Sequence, residues 1–241
     1  MIKHLTLVGF LLLCVDCYAQ LGKENVSMIE ARENQVYANH DDADVAKVLS
    51  GKKYSLRYLG AKNSQFFLTD QTEFSSLTYD EVKFDTLELQ YDLFAQKIVV
   101  LLESKKTAEY VSIDNNKVSE FLLNDCLFVQ VYKDSVMKEG IHQLAFNGQK
   151  SSVFIKRKKR RIEKVESGKL IILFHSFDNY YVKNEYGTFK VSGKKDLLYA
   201  FQNSAELKSF IKKKKIRFSK KVKEKGILKA VALFDSELTT N

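Results

Sequence analysis

The sequence predicts a mainly β protein, a curved antiparallel meander that is either an open sheet or a partly closed barrel, followed by two short C-terminal helices. Three observations support this fold class. From Tyr54 onward apolar and polar residues alternate with the period of a strand that has one wet face. Apolar stretches recur at short intervals without helical segments between them, which argues against βαβ units. Near residue 196 the period becomes helical.

The strand prediction is clearest at residues 86–93, where leucine and tyrosine alternate with polar residues. The continuous apolar run 98–102 is typical of a more buried neighbour. Two turns are expected to form hairpins, Asn147-Gly148 and the segment 114–117 with its adjacent asparagines, because these residues tolerate positive φ. Because long open edges promote association, a meander of this size is expected to curl or close.

Two helices are predicted near the C-terminus. Ser204 is placed to cap a helix that carries Leu207, Phe210 and Ile211 on one face. A second helix carries one apolar stripe at helical spacing, made of Ile227, Val231, Phe234 and Leu238. The predicted organisation is a signal peptide (1–19), a weakly patterned lead-in in which short helices can begin (20–50), an antiparallel β domain (51–195) and a helical tail packed on the sheet (196–241).

The first twenty residues predict export. Lys3 and His4 precede an apolar run of 11 residues, and Ala19 stands before Gln20 after a short polar stretch. A membrane-spanning helix needs about 20 residues, so the run is too short for an anchor. We expect cleavage after Ala19 and a periplasmic or secreted protein without a transmembrane segment. A lipoprotein is the alternative, but Cys14 and Cys17 lack the small residues that a lipidation signal requires.

Composition limits the possible partners and the chemistry. The chain is 45% hydrophobic, enough for a core, and its net charge of +9 favours anionic surroundings. Cys126 is the single cysteine outside the signal, so no internal disulfide is expected, and a buried thiol in a strand is the favoured interpretation.

Two basic runs are the sharpest polar features. Residues 208–225 hold ten Lys or Arg against one acid, Glu224. Such runs bind polyanions by releasing counterions, but regular aromatic platforms are missing, so no nucleic acid is expected as partner. The alternative is a solvated face that keeps sheet edges apart. The candidate contacts to an anionic partner are the six consecutive cations Lys156, Arg157, Lys158, Lys159, Arg160 and Arg161.

Motifs for catalysis, cofactors and metals are absent from the sequence. Three histidines remain after cleavage, His40, His142 and His175, and none has metal-ligand spacing. Gly-x-Ser-x-Gly, Gly-x-Gly-x-x-Gly and Walker A patterns are missing. Asp92, at the end of a strand, is expected to form a turn. We therefore assign no catalytic residue, cofactor or metal, and keep a hydrolase based on His142 or His175 as an alternative.

Several short patterns resemble a family of small exported β-rich proteins of Bacteroidota. They are the Gly-x-x-Tyr opening at Gly51, the paired phenylalanines Phe66 and Phe67, the Leu-x-Leu-x-Tyr-Asp strand ending at Asp92 and the Lys-rich helical end. The resemblance covers most of residues 51–240 and implies compartment and fold class only. Asp85-Thr86-Leu87 and Asp134-Ser135-Val136 are also similar to the O-glycosylation signal of those bacteria.

Together these observations predict a non-catalytic exported protein of the cell envelope that binds a protein, glycan or lipid partner through its basic face. The first alternative is a carrier of lipid or a small apolar ligand, of lipocalin-like or lipoprotein-carrier-like type. In that case strands that are apolar on both faces, such as 98–102 and 170–174, would line a cavity. The hydrolase is the second alternative.

Overall fold

Within the described residues the chain forms thirteen strands and three α-helices. The computed structural model describes residues 50–55, 58, 60–103 and 108–239, all within the compact unit 48–241. The strands are β1 (Lys52–Lys53), β2 (Glu73–Tyr79), β3 (Val82–Asp92), β4 (Lys97–Glu103), β5 (Ala108–Ser112), β6 (Val118–Leu123), β7 (Cys126–Val131), β8 (Gly140–Asn147), β9 (Ser151–Lys156), β10 (Lys159–Glu166), β11 (Lys169–Ser176), β12 (Asn179–Asn184) and β13 (Gly187–Val191). The helices are α1 (Lys194–Ala200), α2 (Ala205–Lys213) and α3 (Lys223–Thr239).

Eleven strands form one open antiparallel sheet in the order β1-β5-β4-β3-β2-β6-β7-β8-β9-β12-β13, and β10 and β11 form a separate two-stranded ribbon. The sheet consists of two four-stranded meanders, β2 to β5 and β6 to β9, joined where β2 pairs with β6. The β12–β13 hairpin extends the second meander beyond β9. The predicted mainly β antiparallel fold is confirmed, in its open form.

One predicted hairpin is confirmed and the other is wrong. Asn147 ends β8 and Gly148 begins the turn to β9, and the two strands pair with each other. The segment 114–117 instead forms a 3₁₀ turn, Asn115–Lys117, capped by Asp114, and β6 pairs with β2 rather than with β5. The reason is the Asn115 side chain, which accepts a hydrogen bond from Ile98 N at 3.3 Å and donates one to Gln96 O at 2.8 Å. These bonds hold the turn against the start of β4.

Aromatic rings fill the interior beside the first meander. Tyr91, paired with Ile98 across β3 and β4, contacts Phe121 and Phe128 with ring centroids 5.7 and 5.6 Å apart. Phe121 and Phe128 stack at 4.8 Å. The space beside the apolar strand 98–102, where the carrier interpretation places a cavity, is thus occupied here by ring packing.

The helices cover one face of the other end of the sheet. Val153 and Ile155 of β9 point to this face, and their strand neighbour Lys156 points to the opposite face because side chains alternate along a strand. The remaining core members, all buried, are Tyr180, Val182, Val191, Leu197, Ala200, Phe201, Leu207, Ile211, Ile227, Ala230, Val231 and Phe234. Asp235 fastens α3 to the β8–β9 turn by accepting hydrogen bonds from Gln149 N at 2.9 Å and Lys150 N at 3.0 Å.

Both predicted helices are present, and a third precedes them. Ser204 caps α2, its Oγ accepting a hydrogen bond from Leu207 N at 3.1 Å. The stripe of Ile227, Val231 and Phe234 is buried on α3. No N-cap signal marks α1 in the sequence, since Gly193 at its N-cap offers no side-chain acceptor.

Candidate anion-binding surface

The six consecutive cations at 156–161 do not form one exposed patch. Lys156 ends β9, Arg157 and Lys158 connect it to the ribbon, and Lys159 begins β10. Because strand side chains alternate between faces, the run is divided among several environments. Arg160 and Arg161 are exposed, whereas Lys156 is buried and the others are half-buried.

Arg157 is held in an ion-pair network. Its Nη1 and Nη2 donate to the two carboxylate oxygens of Glu224 at 2.7 Å each, and Nη1 also donates to Asp178 Oδ2 at 2.8 Å. Its Nε donates to Gln143 Oε1 at 2.7 Å. Burial disfavours the charge of Arg157, but Glu224 and Asp178 outweigh it and raise the pKa of the guanidinium. This arginine is therefore engaged within the fold.

Two further cations attach the ribbon to the segment that precedes β2. Lys159 Nζ donates to Ser64 O at 2.9 Å and to Phe66 O at 2.5 Å. Arg161 pairs with Glu163 at 2.7 Å and donates to the hydroxyl of Tyr58 at 2.9 Å. These contacts give both side chains a structural role.

Lys156 lies on the face of the sheet opposite the helices, beside His142. Gln143 of β8 pairs in register with Ile155 of β9. In this antiparallel register the next cross-strand pair is His142 with Lys156. Lys156 is 8% exposed, and a Cβ added at Gly140 would lie 2.8 Å from its Nζ, so the glycine leaves room for the ammonium. Burial first, and the charge of Lys158 second, lower the pKa of Lys156 to about 8.

His142 is fully buried and polar on one side only. Its Nδ1 lies 2.9 Å from Gly140 O, and because a carbonyl only accepts, Nδ1 carries the proton. Its Nε2 has no hydrogen-bond partner among the residues that the structure describes. Burial lowers the pKa of His142 to about 4, so the imidazole is neutral near pH 7. Among the described residues the hydrogen bond of the ring is to the backbone of Gly140, and none is formed with a serine or a carboxylate.

The second basic run, residues 208–225, is the exposed one, and we name it the basic segment. With ten Lys or Arg and one acid its net charge is +9, equal to that of the whole chain, so the other 223 residues sum to zero. Glu224 is paired with Arg157, outside the segment. Of the ten cations, only Lys223 is not classed as exposed. None of the ten forms an ion pair with any described residue.

The fold fixes the backbone of the basic segment in two places. At the end of α2 the chain turns through Lys215, at φ 50°, and Ile216 N donates to Ile211 O at 3.0 Å, which is a Schellman closure. At the start of α3 a Cβ on Gly226 would lie 2.1 Å from Arg217 O, so only glycine permits this close approach. The cations are thus displayed from the end of α2, the connection after it and the first residues of α3, with the backbone fixed at both ends of the connection.

A shallow cleft of about 630 Å³ borders the basic segment along α3. Its apolar residues are Val222 and Leu228, and its cations are Lys221, Lys225 and Lys229. Glu224 also lines the cleft but is engaged by Arg157. The cleft therefore combines an apolar floor with a cationic rim.

The remaining candidate groups have ordinary structural surroundings. Asp92 forms the predicted turn, its Oδ1 accepting from Phe94 N and Ala95 N at 2.8 Å, while Tyr54 and Gln65 donate to its Oδ2. Cys126 is half-buried on β7, and burial raises the pKa of its thiol. His175 is exposed near the end of β11.

The remaining sequence predictions concern the two O-glycosylation-like sites, the N-terminal region and metal binding. Thr86 is half-buried on β3, and Ser135 is exposed between β7 and β8. The signal peptide, the lead-in up to residue 49 and His40 lie outside the described residues. Among the described residues no group of three or more potential ligands is placed to hold a metal ion.

Sequence reasoning identified both basic runs but assigned the candidate contacts to 156–161 rather than to the more exposed 208–225. The sequence signal that separates the basic segment from residues 156–161 is its single acid, Glu224, among ten cations. No sequence pattern showed that Arg157, far along the chain, would engage it.

Searches of protein-family models, curated proteins and solved structures returned no match to this chain. In the part of the chain that the structure describes, the helices are too short or too polar to cross a bilayer.

Proposed function

We propose that this is an exported, non-catalytic protein of the cell envelope that binds an anionic lipid surface through the basic segment. The observation that carries the proposal is the display of nine exposed cations along the basic segment, where the only acid is engaged by Arg157. The sequence pattern of residues 1–19 supports export. The net charge of the segment supports an anionic partner.

The residue type favours a surface of mobile head groups. Nine of the ten cations are lysines, and Arg217 is the exception. Lysine acts as a compact point charge, whereas arginine is suited to forked recognition of one fixed carboxylate or phosphate. Near an anionic membrane each lysine contributes about 1 kcal/mol, and the attraction falls off within about 8 Å at physiological salt. Binding is therefore expected to be strong at low salt and weak at high salt.

The cleft beside α3 favours an amphiphile over a purely polar polyanion. Val222 and Leu228 provide apolar contact for an acyl chain, and Lys221, Lys225 and Lys229 lie within reach of its head group. An acidic polysaccharide would use the cations and leave the apolar floor empty.

The test is co-sedimentation with vesicles of phosphatidylcholine alone or mixed with phosphatidylglycerol. We expect binding to the anionic vesicles only. Replacing Lys220, Lys221 and Lys225 with Gln is expected to weaken it about 100-fold, since three contributions of about 1 kcal/mol are removed. The matched control replaces Lys133, Lys138 and Lys169, which are exposed outside the segment, and is expected to bind normally.

Two results would overturn the proposal. One is equal binding to neutral and anionic vesicles, or equal loss in both triple variants. The other is tighter binding to a soluble acidic polysaccharide such as alginate than to anionic vesicles, which would make a glycan the partner.

A further inference from the structure

The edge of the sheet at β13 offers unpaired backbone groups. β13 is the last strand of the 11-stranded sheet, and its ladder partner is β12 alone. No other backbone hydrogen bond reaches residues 187–191 from the described part of the chain. The outward N–H and C=O groups of an edge strand are a template for another strand.

A cleft of about 460 Å³ runs along this edge between β13 and α1. Its volume is within the range of about 300–1,000 Å³ that is typical of ligand sites. The residues that line it on the strand and helix are Thr188, Phe189, Lys190, Lys195, Asp196 and Tyr199. An edge strand flanked by a helix is a geometry in which extended peptides bind by strand addition.

The walls of the cleft are fixed in place. Phe189 and Tyr199 contact each other edge to face, with centroids 5.9 Å apart. The Asp196 carboxylate accepts a hydrogen bond from Ser192 N at 2.8 Å, which holds the turn between β13 and α1. Tyr199 is nevertheless 64% exposed, a large aromatic surface beside free backbone groups. Exposed tyrosines of this kind are enriched where partners bind.

Charge selects the occupant. Lys190 and Lys195 both line the cleft and are exposed. Two acids lie at the same edge, Asp196, which accepts from Ser192 N, and Asp134, which accepts from Thr188 Oγ1 at 2.9 Å. A second copy of β13 would bring another Lys190 to the same edge, so like charges oppose pairing between copies. An acidic partner can pair with Lys190 and Lys195, neither of which forms an ion pair with a described residue, when its carboxylates lie away from Asp134 and Asp196.

We propose that the outer edge of β13 binds an extended acidic peptide segment of a partner protein as an added antiparallel or parallel strand. One apolar side chain of the peptide packs on Phe189 and Tyr199, on the side of the sheet that the helices cover. The carboxylates of the alternating residues lie on the opposite side with Lys190, and Lys195 at the start of α1 adds positive charge to the cleft. The five residues of β13 match a peptide of similar length, about 17 Å when extended. This site is separate from the basic segment, so the peptide proposal does not depend on lipid binding.

The test uses a short fluorescent peptide of alternating glutamate and valine, measured by anisotropy. Two isomers are N-methylated on one or the other alternating set of residues. Because only every second residue of an added strand bonds to the edge, one isomer is expected to lose binding at least about tenfold and the other to bind normally. Equal affinities of the two isomers would overturn strand addition.

Variants then locate the site. Tyr199→Ala and the double variant Lys190→Gln, Lys195→Gln are each expected to weaken peptide binding about tenfold or more. The Lys220, Lys221, Lys225 variant carries a larger loss of charge and is expected to bind the peptide normally. Loss of binding in that variant alone would overturn the proposal, because it would place the peptide on the basic segment. If the protein self-associates and Lys190→Glu blocks that self-association, the peptide proposal is overturned, because the occupant of the edge is then a second copy of the chain.

Discussion

Arg157 and Glu224, 67 residues apart in the chain, form a two-armed ion pair with both N–O distances at 2.7 Å. Arg157 follows the end of β9, and Glu224 lies in the first turn of α3. The pair therefore links the sheet to the helix that ends the basic segment. It also removes from that segment the only negative charge it contains.

Replacing Glu224 with Gln is expected to lower the free energy of unfolding by about 2–3 kcal/mol. The change keeps the shape of the side chain but leaves the half-buried Arg157 with Asp178 as its remaining carboxylate partner. Urea denaturation measures the effect. The matched control is Glu163→Gln, which breaks the exposed pair with Arg161 and is expected to cost less than about 1 kcal/mol. Equal losses in both variants would contradict the structural role of the Arg157 pair.

His142 is expected to make the fold less stable on mild acidification. In the unfolded chain the imidazole takes up a proton near pH 6.5, but in the folded protein burial lowers its pKa to about 4. Between these values the unfolded state binds more protons, so stability falls as the pH falls, by about 3 kcal/mol over the window. Denaturation from pH 7 to pH 4 measures this slope.

His142→Asn is expected to flatten that slope, since its amide can still donate to Gly140 O but does not titrate in the window. The control is His175→Gln, on the exposed end of β11, which is expected to retain the full slope. An unchanged slope in His142→Asn would show that another group is responsible.

Lys156→Met is expected to raise the free energy of unfolding at pH 7 by about 1–3 kcal/mol. The variant removes a buried ammonium that has no hydrogen-bond partner among the described residues and keeps most of the side-chain volume. In the parent protein stability should rise between about pH 8 and 10.5, because there the unfolded chain still holds a proton that the folded chain has lost. Lys169→Met, exposed at the start of β11, is the control and should change stability little. A destabilised Lys156→Met protein would argue against this assignment.

Lys215→Gly is expected to stabilise the protein by about 1 kcal/mol. Lys215 closes α2 with φ at 50°, a conformation that costs an L-residue roughly 1 kcal/mol and costs glycine nothing. Lys214→Gly removes the same charge at φ −86° and is expected to destabilise by about 0.5–1 kcal/mol through chain entropy. Thermal denaturation of the two variants should therefore shift in opposite directions, and parallel shifts would exclude a backbone effect at Lys215.

Elements that carry a one-sided burial pattern were predictable from the sequence. The helices α2 and α3 each expose one face, so their apolar residues repeat with the period of a helix. Leu87, Leu89 and Tyr91 share one face of β3 as predicted, but the prediction of a wet opposite face is wrong at the end of the strand, where Gln90 is 2% and Asp92 0% exposed. The helix α1 has seven residues and no side-chain cap, and in it Leu197 and Ala200 are the buried positions. Such a short element leaves too few repeats to reveal its period.

Pairing between distant strands was not predictable in the same way. The adjacent asparagines at 115 and 116 correctly marked a turn, but turn propensity does not specify which strand follows as neighbour. Here the Asn115 side chain bonds to β4 and the preceding turn, and β6 continues to β2. The surroundings of the six cations at 156–161 were not predictable for the same reason. The partners of Arg157 and Lys159, Glu224 and Ser64, lie far away in the sequence.

The joint between the two meanders has a consequence for how the chain gains and loses its structure. Seven of the ten neighbouring strand pairs in the large sheet connect consecutive strands, which form from contacts short in sequence and hence fast. The β2–β6 joint rests on three register pairs, Leu77 with Phe121, Thr78 with Glu120 and Tyr79 with Val118. Tyr91 of β3 also packs on Phe121 and Phe128 across this joint, so the two meanders are expected to open together as one cooperative unit in hydrogen exchange.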